Sequence, residues 1–153
     1  MQINKAPGAR LIELGGGETP MVNPACLGGT DVNVDVRDAK LPDGRRAVDF
    51  VCSFEEPLPI KDNDFDGLVS RFSAEHISWP KVPQFLKECH RIIKPGAKAL
   101  FVTPDTEAQI RHILNKPEWD DDEGSMLFGD LKTYAENSHK SAWSPRTAAR
   151  WLQ

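Results

Sequence analysis

The 153-residue sequence lacks several features that mark particular classes of protein. Its three cysteines, Cys26, Cys52 and Cys89, form no CxxC pair, so we expect no disulfide framework, no zinc site and no other metal site. No run approaches the ~20 consecutive apolar residues that cross a membrane, and Met1 to Lys5 lack the apolar core of a signal peptide. A net charge of −4 argues against capture of nucleic acid or of an anionic membrane. These absences favour a single-domain cytoplasmic protein with reduced thiols.

An apolar segment that ends in three consecutive glycines is the strongest local pattern in the sequence. Leu11 to Leu14 predict a buried parallel strand, and Gly15, Gly16 and Gly17 predict the turn at its carboxyl end. Ligands of open α/β sheets bind beyond the carboxyl ends of the strands, and glycine has no Cβ to keep a small molecule away from the backbone. The alternative is a tight turn that binds no ligand.

A second strand is predicted over residues 32–36, where apolar and polar residues alternate. Asp35 lies near its end, about 20 residues beyond the glycines. That spacing suits a carboxylate that accepts both hydroxyls of a ribose. The alternative is a solvated aspartate at the end of a strand.

Further strands are predicted over residues 47–52, 65–70 and 99–102, which gives an α/β fold with a doubly wound, mostly parallel sheet. One helix is clear, because its apolar residues recur three and four apart and a Lys94-Pro95-Gly96 sequence ends it. His90 lies off that apolar face and is expected in solvent. The apolar face consists of Val82, Phe85, Leu86, Cys89, Ile92 and Ile93.

Five motifs occur one after another along the sequence: residues 13–17, Asp35, the loop 58–66, Glu75-His76 and residues 91–96. In this order they resemble the class I S-adenosylmethionine-dependent methyltransferases, and among them the small type related to the methyltransferase-11 group. The resemblance runs from about Leu11 to Glu107. It implies a Rossmann-like, three-layer fold and an enzyme that moves a methyl group from S-adenosylmethionine to an acceptor, leaving S-adenosylhomocysteine.

The resemblance also implies which residues bind the cofactor. Backbone at the glycine turn would hold the methionine end, and Glu13 would support its ammonium group. Asp35, followed by Val36, would take the ribose hydroxyls, and two residues after the third strand would border the adenine. Three residues after the fourth strand would face the sulfonium and the substrate entrance. The full set is Glu13, Gly15, Gly16, Gly17, Asp35, Val36, Ser53, Phe54, Ser70, Arg71 and Phe72.

The substrate candidates are Glu75, His76, Asp105 and His139, and no catalytic residue is assigned. A general base is needed only if the acceptor must lose a proton to become nucleophilic. The sequence also departs from the family, because Thr19 replaces a glycine and no acidic residue stands at Ser53. Arg71 would repel a sulfonium, so we expect it either to form an ion pair or to anchor an acidic substrate.

The last third is less regular. Residues 115–143 are predicted as a lid-like insert, the acidic run 120–124 as a solvated loop, and Ser144-Pro145 as a helix start. The family adds two more strands after that helix, so a minimal sheet is expected, with an open edge that a homodimer could cover.

The expected acceptor is a small molecule or a protein rather than nucleic acid. The alternative function is a non-catalytic or truncated methyltransferase-like domain that acts as a binding or partner module. A nicotinamide-dependent oxidoreductase is disfavoured, because residues 15–20 do not match GxGxxG.

Overall fold

The computed structural model describes residues 6–18, 30–118, 121–130, 132 and 134–152. The strands are β1 (Leu11–Leu14), β2 (Val32–Asp35), β3 (Phe50–Val51), β4 (Phe65–Arg71) and β5 (Ile93–Val102). The α-helices are α1 (Val82–Ile92), α2 (Thr106–Leu114), α3 (Asp121–Phe128) and α4 (Pro145–Trp151). Short 3₁₀ helices occur at Ala74–His76, Trp79–Lys81 and Ala135–Asn137.

The five strands form one parallel sheet in the order β3-β2-β1-β4-β5. β1 is central and fully buried, with Ile12 opposite Val32 on one side and Leu68 on the other. The direction of strand order reverses between β1 and β4, and ligands of open sheets bind beyond the carboxyl ends at such a point. The predicted doubly wound, Rossmann-like α/β fold is confirmed.

The core forms where α1 covers the sheet. Val82, Phe85, Cys89 and Ile92 are buried, as their helical spacing predicts, because residues three and four apart share one face of a helix. The ring of Phe85 lies 6.1 Å from that of Phe101 on β5. His90 is exposed on the opposite face, as predicted.

Two strands differ from their predicted bounds by several residues, whereas β2 and β4 differ by one residue each. The third strand was predicted over residues 47–52 but is only Phe50–Val51, because the Ala47 amide donates to the carbonyl of Ala39 and the Asp49 carboxylate accepts from the Asn33 amide. The fifth was predicted over residues 99–102 but begins at Ile93, directly after α1. Its pairing with β4 shifts register between Phe65 and Gly67.

The prediction of a solvated acidic loop over residues 120–124 is wrong, because α3 begins at Asp121. Acidic side chains in the first turn of a helix are stabilised by the helix dipole. Glu123 is buried and pairs with the Lys116 ammonium, so its charge is neutralised within the fold. Asp120 lies outside the described residues.

Thr19 and residues 20–29, Cys26 included, lie outside the described part of the chain. Burial raises the pKa of the Cys52 and Cys89 thiols, so both are protonated at neutral pH. None of the helices in the described ranges combines the length and apolar character that a membrane crossing requires.

The helix start predicted at Ser144-Pro145 is confirmed by a capping box at α4. The Ser144 hydroxyl accepts from the Thr147 amide, and the Thr147 hydroxyl accepts from the Ser144 amide. We expect Ser144→Ala to lower the free energy of unfolding by about 1 kcal/mol, because a helix-terminal amide loses its acceptor. Urea denaturation measures this loss. Ser144→Asp keeps an acceptor and should stay close to wild type, so an equal loss in both variants would contradict the prediction.

Candidate functional site

A cavity of about 270 Å³ opens at the carboxyl ends of the strands. Its position follows from the topology, because β1, β2, β3 and β4 all end on this side of the sheet. Seven of the eleven predicted cofactor residues lie in its wall: Gly15, Gly17, Asp35, Val36, Ser53, Phe54 and Phe72. His76 lies there too, together with residues that were not predicted, namely Arg37, Glu55, Ser73, Ile77, Glu136, Asn137 and Lys140.

The glycine turn after β1 is held by acceptors on β2. The Gly15 amide donates to the Val34 carbonyl at 2.7 Å, the Gly16 amide to Asn33 Oδ1 at 3.1 Å, and the Gly17 amide to Asp35 Oδ2 at 3.0 Å. The turn is therefore fixed before any ligand arrives. The turn lies so close to Asn33 that only glycine fits at position 16, because a Cβ on Gly16 would lie 2.4 Å from Asn33 Oδ1.

Asp35 has the geometry that a ribose requires. Its Oδ2 accepts from the Gly17 amide and its Oδ1 from the Arg37 amide, each at 3.0 Å. A carboxylate offers about four acceptor positions, so each oxygen retains one for a hydroxyl group. Asp35 is only 8% exposed, and what remains accessible lies in the cavity wall. The residues present therefore fit a nucleoside whose ribose lies between β1 and β2.

Asn33 is a structural residue of this site that sequence reasoning missed. It is fully buried on β2, where its Nδ2 donates to the carbonyls of Ala47 and Gly17 and its Oδ1 accepts from Gly16. A polar residue between two valines of a buried strand was the available signal, because a buried amide needs partners for all its polar atoms.

Four predicted cofactor residues lie behind the cavity wall rather than in it. Gly16 and Ser70 are buried, and the Ser70 hydroxyl bonds to that of Ser73 at 2.7 Å. Glu13 is fully buried, and its Oε1 accepts from Arg71 Nη2 at 2.8 Å and Nε at 2.9 Å. Arg71 thus forms the ion pair that was one of its two expected roles, and its charge is matched by Glu13.

The cavity carries charges of both signs. The Glu55 carboxylate accepts from the Ser78 hydroxyl at 2.7 Å and the Ser78 amide at 2.8 Å. These bonds hold the pKa of Glu55 below its ordinary value, so it stays ionised. The guanidinium of Arg37 lies 3.5 Å above the Tyr134 ring, which ties the cavity wall to the later segment.

The mouth of the cavity carries an unusual backbone conformation at Phe72. Its φ is +49°, a left-handed value that bulky residues rarely adopt. The Phe72 amide donates to the Val102 carbonyl at 2.7 Å, and the side chain is 62% exposed. The strain therefore holds an aromatic ring at the edge of the cavity instead of in the core.

Three of the four substrate candidates come together. Glu75, His76 and His139 place one potential ligand atom each within 4.8 Å of one another. Burial raises the pKa of Glu75, whereas burial and the neighbouring His76 lower the pKa of His139. Asp105 lies elsewhere. It caps α2 by accepting from the Ala108 amide at 3.1 Å and lines a separate cavity of about 340 Å³ beside Trp143.

Comparisons with known proteins agree with this geometry. A family model described as a methyltransferase domain matches residues 13–101. The chain is 28% identical over 121 residues to a fatty-acid O-methyltransferase of Mycolicibacterium smegmatis, covering 74% of this chain and 41% of that protein. It is 26% identical over 145 residues to the ubiquinone/menaquinone biosynthesis C-methyltransferase UbiE of a Ruegeria species, covering 84% and 57%.

Among solved structures, a SAM-dependent methyltransferase from Archaeoglobus fulgidus superimposes with a TM-score of 0.63 at 16% identity, covering 95% of this chain and 59% of that one. This likeness shows the fold. The chain thus spans less than two thirds of the length of each of these relatives.

Proposed function

The chain belongs to the methyltransferase domain family, and from that premise we propose that it binds S-adenosylmethionine in the strand-end cavity and transfers the methyl group to an acceptor. One observation carries the proposal. The Asp35 carboxylate lies in the cavity wall and bonds to the Gly17 amide at 3.0 Å, which joins the ribose-binding acid to the glycine turn. The product of transfer is S-adenosylhomocysteine.

The cofactor supplies an activated methyl group on a sulfonium, so the protein has to bind, align and exclude water. We propose that Asp35 accepts the ribose hydroxyls and that backbone at Gly15 and Gly17 borders the methionine end. Val36, Ser53 and Phe54 would flank the adenine. Because the charge of Arg71 is matched by buried Glu13, it does not oppose a sulfonium in the cavity. Glu13 and Arg71 would then shape the floor behind the cofactor.

We propose that residues 115–143 act as a lid over the acceptor. Glu136, Asn137 and Lys140 contribute to the cavity wall, and Tyr134 contacts Arg37, which supports this role. Opposite charges at Glu136 and Lys140 suit a small polar acceptor or a protein side chain better than a nucleic acid backbone. Cytoplasmic location is proposed because Cys52 and Cys89, the two cysteines in the described part of the chain, are free thiols.

Calorimetric titration with S-adenosylhomocysteine tests the proposal, with NADH as the matched negative ligand. We expect saturable heat with the first ligand and none with NADH, because the glycine turn does not match a pyrophosphate-binding GxGxxG. Heat with NADH alone would overturn the proposal. Binding of S-adenosylhomocysteine without methyl transfer to any acceptor would instead make the chain a binding module.

We further propose a homodimer through β5. Among the described strands, β5 pairs with β4 only, and an open sheet edge tends to be covered or paired. Light scattering after size exclusion should give twice the mass of 17.1 kDa. A monomeric mass at micromolar concentration would contradict this assembly.

A further inference from the structure

We propose that Glu75, His76 and His139 form a binding site for a divalent transition-metal ion such as Zn²⁺, beside the strand-end cavity. The potential ligand atoms of the three side chains all lie within 4.8 Å of one another. A tetrahedral ion with ligand distances of about 2.1 Å separates its ligand atoms by roughly 3.4 Å. Binding an ion would therefore draw the ligand atoms together by up to about 1.4 Å.

Each of the two histidines has one ring nitrogen held by a backbone carbonyl. Nδ1 of His76 lies 3.0 Å from the Ser138 carbonyl, and Nδ1 of His139 lies 3.1 Å from the Leu127 carbonyl. A carbonyl only accepts, so Nδ1 is the donor in each ring and a metal ion would bind at Nε2. Metal-binding histidines almost always donate their other N–H to a carbonyl or carboxylate in this way.

The carboxylate is oriented by a comparable contact. The Thr103 hydroxyl, just beyond β5, donates to Glu75 Oε2 at 3.0 Å, and among the described residues no other side chain donates to this carboxylate. Glu75 is only 3% exposed, and a buried carboxylate is stable when it is paired or coordinates a metal. An ion between Glu75 and the two imidazoles would balance its charge.

The backbone also holds the two halves of the site together. The amides of Lys140 and Ser141 donate to the Glu75 carbonyl at 2.8 and 3.0 Å, and the His139 amide donates to the Phe128 carbonyl at 2.9 Å. The segment that carries His139 is therefore fixed against the 3₁₀ helix Ala74–His76 without an ion. A site that is formed in advance loses little entropy on binding.

Two imidazoles and one carboxylate suit zinc or ferrous iron and leave coordination positions open. His76 lies in the cavity wall, so those positions are reached from the cavity. The ligand class that fits is a small molecule with an anionic oxygen or a thiolate. Zinc binding itself does not depend on the proposed methyl transfer, and the two are measured separately.

Cobalt binding to the chelator-treated chain tests the site. Titration with Co²⁺ should produce visible d–d absorption that saturates at one ion per chain and disappears when Zn²⁺ is added. Outer-shell changes weaken metal sites by about 10–100-fold. We therefore expect Thr103→Val to weaken binding by about 10-fold and His139→Ala or Glu75→Gln by more than about 100-fold.

His90→Ala is the matched control, because this histidine is exposed on α1 and outside the cluster. It should bind Co²⁺ as the wild type does. Proton–nitrogen correlation spectra of the wild-type chain give a readout that needs no variant. Zn²⁺ should shift the signals of two of the four imidazoles.

The metal site would be overturned if Co²⁺ gave no saturable absorption or if His139→Ala bound Co²⁺ as tightly as the wild type. It would also be overturned if His90→Ala weakened Co²⁺ binding as much as His139→Ala does. Variants that lower methyl transfer while the wild-type chain binds no metal would make the cluster a proton relay instead. Titration of the same preparations with S-adenosylhomocysteine reports separately on the cofactor cavity. A failed metal site is thereby distinguished from a failed methyltransferase.

Discussion

Replacing Gly15 with alanine is expected to lower the free energy of unfolding by about 3 kcal/mol, from roughly equal backbone and packing costs. Gly15 has a φ of +84°, where an L side chain is strained, and its added Cβ would lie 2.3 Å from the Cβ of Ser73. Ser73 cannot move away cheaply. Its hydroxyl donates to the Leu14 carbonyl at 2.8 Å and bonds to the Ser70 hydroxyl at 2.7 Å, so its displacement breaks bonds beneath the turn.

Gly44→Ala separates the two causes. Gly44 has nearly the same φ, +85°, but nothing lies within 4 Å of its added Cβ. It should lose only the backbone cost, about 1.5 kcal/mol. Urea denaturation of both variants measures the difference. Equal losses would mean that packing against Ser73 contributes nothing to the turn.

The parts of the site that the sequence predicted are those with a local signal. The run from Leu11 to Gly17 is an apolar strand followed by turn residues, and both features depend on neighbouring residues alone. Asp35 ends the second strand, at a spacing from the glycines that is typical of two neighbouring parallel strands. Parallel pairing then brings the carboxyl ends of β1 and β2 together, which explains why Asp35 and Gly17 are in contact.

Contacts between distant segments were not predictable in the same way. Glu13 and Arg71 are 58 residues apart, and their pairing depends on β1 lying beside β4. Sequence reasoning placed each residue against the cofactor separately. It did not indicate that the Arg71 guanidinium donates to the Glu13 carboxylate. The charge of Arg71 was the only signal in the sequence, and it predicted either an ion pair or an anchor for an acidic substrate. The ion pair is the role that the structure shows.

The later segment offered the weakest signals. Its acidic run suggested a loop because like charges repel, but α3 begins at Asp121 within this run, and Glu123 is buried against Lys116. His139 had no periodic pattern around it, so nothing in the sequence indicated that it would meet His76. The expectation of no metal site came from the cysteine spacing, whereas the cluster of Glu75, His76 and His139 is assembled from two distant segments.

Asp35→Asn is expected to weaken S-adenosylhomocysteine binding by about 150-fold, because charge-assisted hydrogen bonds contribute about 1.5–3 kcal/mol each and the ribose forms two. The carboxylate already accepts from two amides, those of Gly17 and Arg37. Either orientation of an asparagine amide would face an N–H group with another N–H group. The ribose would lose an acceptor, and so would either the Gly17 amide or the Arg37 amide.

Asp38→Asn is the matched control for this change. Asp38 is exposed three residues later, accepts from Arg46 Nε at 3.3 Å, and lies outside the cavity wall. Asp38→Asn removes the same charge as Asp35→Asn. It should leave the dissociation constant for S-adenosylhomocysteine within about twofold of the wild-type value, because an exposed ion pair contributes little. A 2′-deoxyribose analogue sharpens the test, because removing its hydroxyl should weaken binding to the wild type and hardly affect Asp35→Asn. Equal penalties in both proteins would mean that the ribose does not bind at Asp35.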